Sequence, residues 1–174
     1  MGSEMCIRDR QIPLSVPYRN GSWGGQSSGH DPNGWGKTRL IGPLYPFGYG
    51  LSYTTFDYGQ VTIEPANPTA DDVITVSCDV TNSGDRDGDA VVQLYTQDLV
   101  ASVAPYEQLL RGFERVPLKA GETKTVNFKL TPKRDLKMLN RQNEWVVEPG
   151  EFKVMISDSS GVEAVKQKAT FSIQ

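Results

Sequence analysis

The feature that most restricts how this chain can fold is a two-residue alternation, repeated in short runs that Gly, Pro, Asn and Asp interrupt. Ile74, Val76, Cys78 and Val80 alternate with Thr75, Ser77, Asp79 and Thr81. Successive side chains of an extended strand point to opposite sides, so this pattern makes one apolar and one polar face. Cys78 falls on the apolar face and is expected to pack as a small hydrophobe.

The same logic extends to the C-terminus. A turn over 82–88 leads to a strand over 90–97, with Val92 and Leu94 on one face and Val91 and Tyr95 on the other. An extended stretch from Leu109 to Leu118 ends at the turn Lys119-Ala-Gly-Glu122, and Val126, Phe128 and Leu130 then alternate with Asn127 and Lys129. Thr131 to Asn140 is the one short non-strand piece, expected as a helical turn seating Leu136 and Leu139. Glu144 to Val147, Phe152 to Ile156 and Val165 to Ile173 complete the set, with Pro149-Gly150 as a tight turn between the first two. About seven strands at near-regular spacing predict an all-β, immunoglobulin-like sandwich. No Cys pair brackets a Trp as in antibody domains, so the expected variant is fibronectin type III-like.

Residues 57–174 form this domain, and what precedes them is organised differently. Between Tyr18 and Tyr58 lie nine of the 16 aromatic residues and nine of the 17 glycines, with few aliphatics. Gly and Pro oppose long regular elements, while the rings carry apolar surface that is costly to leave in water. Residues 11–56 are therefore expected as an extended, irregular arm laid over another surface, with Trp23, Trp35, Tyr45, Phe47, Tyr49 and Tyr53 making interdomain or sugar contacts. Residues 1–10, MGSEMCIRDR, have no continuous apolar segment, no small-residue cleavage pattern and no usable period. They resemble a translated sequencing-adapter artefact and are expected to be a non-native leader.

Composition removes several function classes. Eighteen basic against 21 acidic residues give a formal net charge of −3, which offers no basic surplus for nucleic acid or an anionic membrane. No apolar run has the length of a bilayer span. Two cysteines and one histidine, His30, leave little for a disulfide framework, a metal site or a triad. Asp85-Arg-Asp-Gly-Asp89 imitates a calcium loop, but Ala90 stands where that loop needs Gly and Thr96 where it needs the bidentate Glu. It reads as a hairpin turn. Glu148 and Glu151 flank the Pro149-Gly150 turn as solvated charges, and Asn20-Gly-Ser22 matches a glycosylation sequon. No cofactor and no catalytic residue is expected.

Five ordered motifs carry a family resemblance. They are residues 44–56 (LYPFGYGLSYTTF), 80–95 (VTNSGDRDGDAVVQLY), 110–116 (LRGFERV), 120–126 (AGETKTV) and 145–152 (WVVEPGEF). Together they resemble the C-terminal region of glycoside hydrolase family 3 enzymes, β-glucosidases and β-xylosidases among them, over nearly the whole chain from Gln11. The resemblance implies a fibronectin type III-like domain preceded by a linker, with a barrel and an α/β sandwich domain of the same parent chain as partners. It also implies a periplasmic or secreted parent that hydrolyses terminal β-D-glucosides or related glycosides. Retaining hydrolysis needs two carboxyl groups about 5 Å apart. The family keeps its nucleophile, in a Ser-Asp-Trp-type motif, on the barrel and its acid on the α/β sandwich. No Ser-Asp-Trp occurs here, and the nearest likeness, Ser157-Asp158-Ser159, is expected in a turn. The resemblance thus implies an inactive, stabilising C-terminal fragment. The alternative is a free-standing carbohydrate-binding or adhesion module, with Trp23, Trp35 and Tyr49 stacking on a β-linked saccharide.

Overall fold

A computed structural model describes residues 46–174, except 104, 107, 162 and 163. Ten strand segments make up most of it: β1 (Phe56–Tyr58), β2 (Thr62–Glu64), β3 (Ile74–Asn82), β4 (Gly88–Asp98), β5 (Leu109–Leu118), β6 (Thr123–Leu130), β7 (Met138–Leu139), β8 (Trp145–Val146), β9 (Gly150–Ser157) and β10 (Val165–Ile173). One helical turn, α1 (Pro132–Asp135), separates β6 from β7.

All pairings are antiparallel. In the first sheet β1 and β2 lie end to end along one edge of β3, and β6 lies along the other. The second sheet has the order β10-β9-β4-β5. Counting β1 and β2 as one broken edge strand, seven strands form the sandwich that the alternation predicts. Ile74, Val76, Cys78 and Val80 from β3 meet Ala90, Val92 and Leu94 from β4 and Val154 and Ile156 from β9 in one core cluster. Burial of each large aliphatic side chain contributes roughly 1.5–3 kcal/mol. Phe152 and Phe171 stack across β9 and β10 with ring centroids 5.8 Å apart.

Two local expectations need correction. Leu136 is buried, but Leu139 is 38% exposed and belongs to β7 rather than to a helical turn. Proline at the first helical position starts α1, Asp135 accepts the amide of the N-cap residue Thr131 at 2.7 Å, and Leu136 ends the turn with its amide bonded to the Pro132 carbonyl, before Leu139 is reached. Secondly, Trp145–Val146 does not hairpin with β9. It pairs back onto Met138–Leu139, so Pro149 lies in the bend that brings the chain into β9. Tyr95 occupies the outer side of β4 as expected, and it is only 1% exposed because further chain covers that side.

Candidate functional site

The two outer faces of the sandwich differ, and the difference locates the candidate site. On the first sheet, the outward residues of β3 and β6 form a polar ladder. Ser77 donates to Asn127 at 2.7 Å, Thr125 donates to Asp79 at 2.5 Å, and the Thr81 and Thr123 hydroxyls lie 2.8 Å apart. Such a face is well solvated and needs no covering. On the second sheet the outward residues include Val91, Gln93 and Tyr95 of β4 and Phe113 of β5, which pairs opposite Gln93. Phe113 is 69% exposed.

Residues 46–55 run over this second face and are pinned to it by buried polar groups. The Gln93 amide nitrogen donates to the Asp158 carbonyl at 2.7 Å and to the Gly48 carbonyl at 3.3 Å. Behind it, the Tyr95 hydroxyl donates to Gln93 Oε1 at 2.6 Å. The Ser160 amide donates to the Phe47 carbonyl at 2.8 Å, and Gln108 donates to the Ser160 carbonyl at 2.5 Å. Gly48 has φ +77°, and a Cβ there would stand 2.5 Å from Gln93 Oε1, so both its conformation and its contact require glycine. Further along, Thr54 donates to Asn82 Oδ1 at 2.6 Å, and a Cβ on Gly84 would stand 2.1 Å from Thr54 Oγ1. The chain thus leaves the sandwich surface by a route set by hydrogen bonds at both ends.

Between these pins the side chains turn outward. Phe47 and Tyr49 are about half exposed, at 50% and 49%, while Leu51 and Tyr53 are almost fully exposed, at 89% and 93%. Phe47, Tyr49 and Leu51, together with Val91 and Phe113, border a groove of about 780 Å³. Its rim carries Asp89, in an ion pair with Arg115, and Lys166, 3.1 Å from Asp158. Exposed pairs of this kind contribute little to stability, so the apolar surface dominates the groove. Five large apolar side chains gathered on one face exceed the scattered exposure normal for a soluble domain and mark an interaction surface.

Of the six arm residues singled out from the sequence, the structure brings Phe47 and Tyr49 to this surface, while Tyr53 is exposed beside it without lining the groove. Trp23, Trp35 and Tyr45 lie outside the described residues, as do His30 and Cys6. Leu51, Val91 and Phe113 belong to the surface and were not among the expected site residues. A signal for Phe113 was present: Val116 and Leu118 point inward on β5, so a bulky ring at position 113 is out of phase with the core. The other candidates are accounted for locally. Asp87 accepts the Ala120 amide at 3.0 Å, which ties together two adjacent turns. Glu148 accepts the Ser102 hydroxyl and amide, and these bonds hold its carboxyl below the ordinary range. Cys78 donates to the Gly59 carbonyl at 3.2 Å, and burial pushes its thiol up to about 11. Among the described residues, no three His, Cys, Asp or Glu side chains gather as a metal site.

Two facing sheets with this strand order define a fibronectin type III-like domain, and residues 90–160 match the family model of that description. A β-xylosidase of Formosa agariphila is 48% identical over 71% of this chain, which corresponds to 17% of its own length. A periplasmic β-glucosidase of Salmonella typhimurium is 46% identical over 73% of this chain and 16% of its own. Among solved structures, a Listeria innocua β-glucosidase in complex with glucose superposes with a TM-score of 0.77 at 31% identity, covering 94% of this chain and 22% of that one. The chain belongs to glycoside hydrolase family 3 as the fibronectin type III-like domain of the C-terminal region of those β-glucosidases and β-xylosidases. It spans about a sixth of the length of the curated relatives it matches.

Proposed function

We propose that this chain is the non-catalytic C-terminal part of a family 3 β-glycosidase, and that its sandwich packs against the parent's remaining domains and stabilises them. The observation that carries this reading is the pairing of a polar outer face on one sheet with an apolar groove, edged by a pinned arm, on the other. A free-standing domain gains nothing from presenting Phe47, Tyr49, Leu51, Tyr53 and Phe113 to water, whereas a domain that docks does. The relatives' much greater length supplies the partner: the barrel and the α/β sandwich domain of the same parent. The parent would hydrolyse terminal β-D-glucosides or β-xylosides and would act in the periplasm or outside the cell, in keeping with the name of the Salmonella relative.

The test is activity by parts. The chain alone should give no turnover of aryl β-glucosides or β-xylosides, and joining it to a family 3 barrel and α/β sandwich should restore hydrolysis. Turnover by the isolated chain would refute the proposal. So would a joined protein whose stability and kinetic constants ignore Phe113→Asp at the groove.

A further inference from the structure

A second concavity lies at the opposite end of the second sheet, where β4 ends, β9 begins and the α1 to β8 connection folds across. Its volume is about 400 Å³, within the range of small-ligand sites. Leu109, Leu136 and Phe152 form part of its wall, and the indole of Trp145, 64% exposed, stands at its mouth.

The charges around the cavity are unlike those of the chain as a whole. The chain carries a formal net charge of −3, yet among the described residues Arg111, Arg134 and Lys137 line the cavity with one carboxylate, Asp98, while Asp135 stands behind them, near enough to act on Arg111. Arg134 is committed to Asp135 through two bonds of 2.8 and 2.9 Å. Arg111 is not committed in this way. Its Nε donates to Thr96 Oγ1 at 3.0 Å, and among the described residues no carboxylate lies within ion-pair distance of it. It is half-buried, and the loss of water around it pulls its guanidinium below the ordinary value. A half-buried guanidinium with no carboxylate in contact gains from an anion that brings acceptor oxygens. Lys137 Nζ lies over the Trp145 ring, 5.0 Å from its centre, which places a second cation on one face of the indole and leaves the other face and the edge for a ligand.

An apolar ring surface with two adjacent cations, in a space of this size, suits a ligand that joins a flat C–H face to a carboxylate. We propose that this cavity binds a carboxylate-bearing saccharide, a hexuronate unit, with Trp145 against the sugar ring and Arg111 and Lys137 taking the carboxylate. Asp98 remains as an acceptor for ring hydroxyls. This site is separate from the groove beside the arm and does not depend on how that groove is filled.

The test is calorimetric titration of the 174-residue chain with a glucuronate-substituted xylo-oligosaccharide, with the matching neutral xylo-oligosaccharide, and with inorganic sulfate. Saturable binding of the acidic sugar is expected, at least about tenfold tighter than the neutral one, in line with the loss of a charge-assisted contact. Sulfate should bind more weakly than the acidic sugar, since it offers Trp145 no ring. Trp145→Ala and Lys137→Gln replace exposed side chains, so both variants should stay folded, and each should weaken the acidic sugar about tenfold. Equal affinity for acidic and neutral sugars, equal affinity for sulfate, indifference to Trp145→Ala, or no saturable binding would each overturn the proposal.

Discussion

Replacing Gln93 by Leu removes the bonds that tie the arm to the sandwich while nearly preserving side-chain volume. Three hydrogen bonds disappear: those to the Asp158 and Gly48 carbonyls, at 2.7 and 3.3 Å, and the one from Tyr95 at 2.6 Å. At about 1 kcal/mol net each, with a further cost for the stranded Tyr95 hydroxyl and partly offset by the added apolar group, the loss comes to about 3 kcal/mol. For a domain of this size each kcal/mol lowers the melting temperature by about 3 °C, so calorimetry should show a fall of about 9 °C. A second substitution separates the orphaned hydroxyl from the lost arm contacts. Tyr95→Phe added to Gln93→Leu removes the stranded group and should recover about 1 kcal/mol, although Tyr95→Phe alone destabilises. Hydrogen exchange supplies the local readout, since the Ser160 amide is bonded to the Phe47 carbonyl and should lose protection in the Gln93 variant well before the β3 amides do. A melting temperature within about 2 °C of the unsubstituted chain, or a double variant less stable than Gln93→Leu, would refute this account of the arm.

The remaining predictions concern the core thiol and the groove. The folded thiol of Cys78 is raised from 9.0 to about 11, so the fold favours its protonated form. Its contribution is complete below pH 9.0 and is lost as pH rises through about 11. Tyr95, pushed up by burial to about 12, continues the same trend. Urea midpoints should therefore fall through this alkaline window, and Cys78→Val should flatten the first part of the fall; unchanged midpoints would show that the thiol is not held protonated. Phe113→Asp at the exposed groove should leave the melting temperature within about 0.5 kcal/mol equivalent and reduce self-association in sedimentation velocity. A drop of several kcal/mol would mean that Phe113 supports the core instead of waiting for a partner.

The sandwich was readable because alternation and solvent exposure agree along most strands. Each inward residue of β3 and β6, from Ile74 to Val80 and from Val126 to Leu130, stands where period two places it. The alternation loses its meaning in β4 after Val92, where Gln93, Leu94, Tyr95 and Thr96 are all buried. A second layer covers the outer face there, so both sides of the strand leave water and polarity no longer tells in from out. The ribbon of β7 and β8 is not legible in the sequence for a different reason. Two-residue strands show no period, and Trp145 was free to pair with Leu139 or to continue toward β9.

By itself the sequence determined the class of fold, the order of the long strands and the identity of the core. These depend on local geometry, on which side of a strand each residue takes and where the backbone can turn. Only the tertiary structure decided which outer face carries the apolar groove, how Gly48 meets Gln93, and that Trp145 shares a cavity with Arg111. Those contacts join residues separated by 34 to 45 positions. Their formation depends on how the sheets and the crossing segments pack, and no periodicity within a single strand records that.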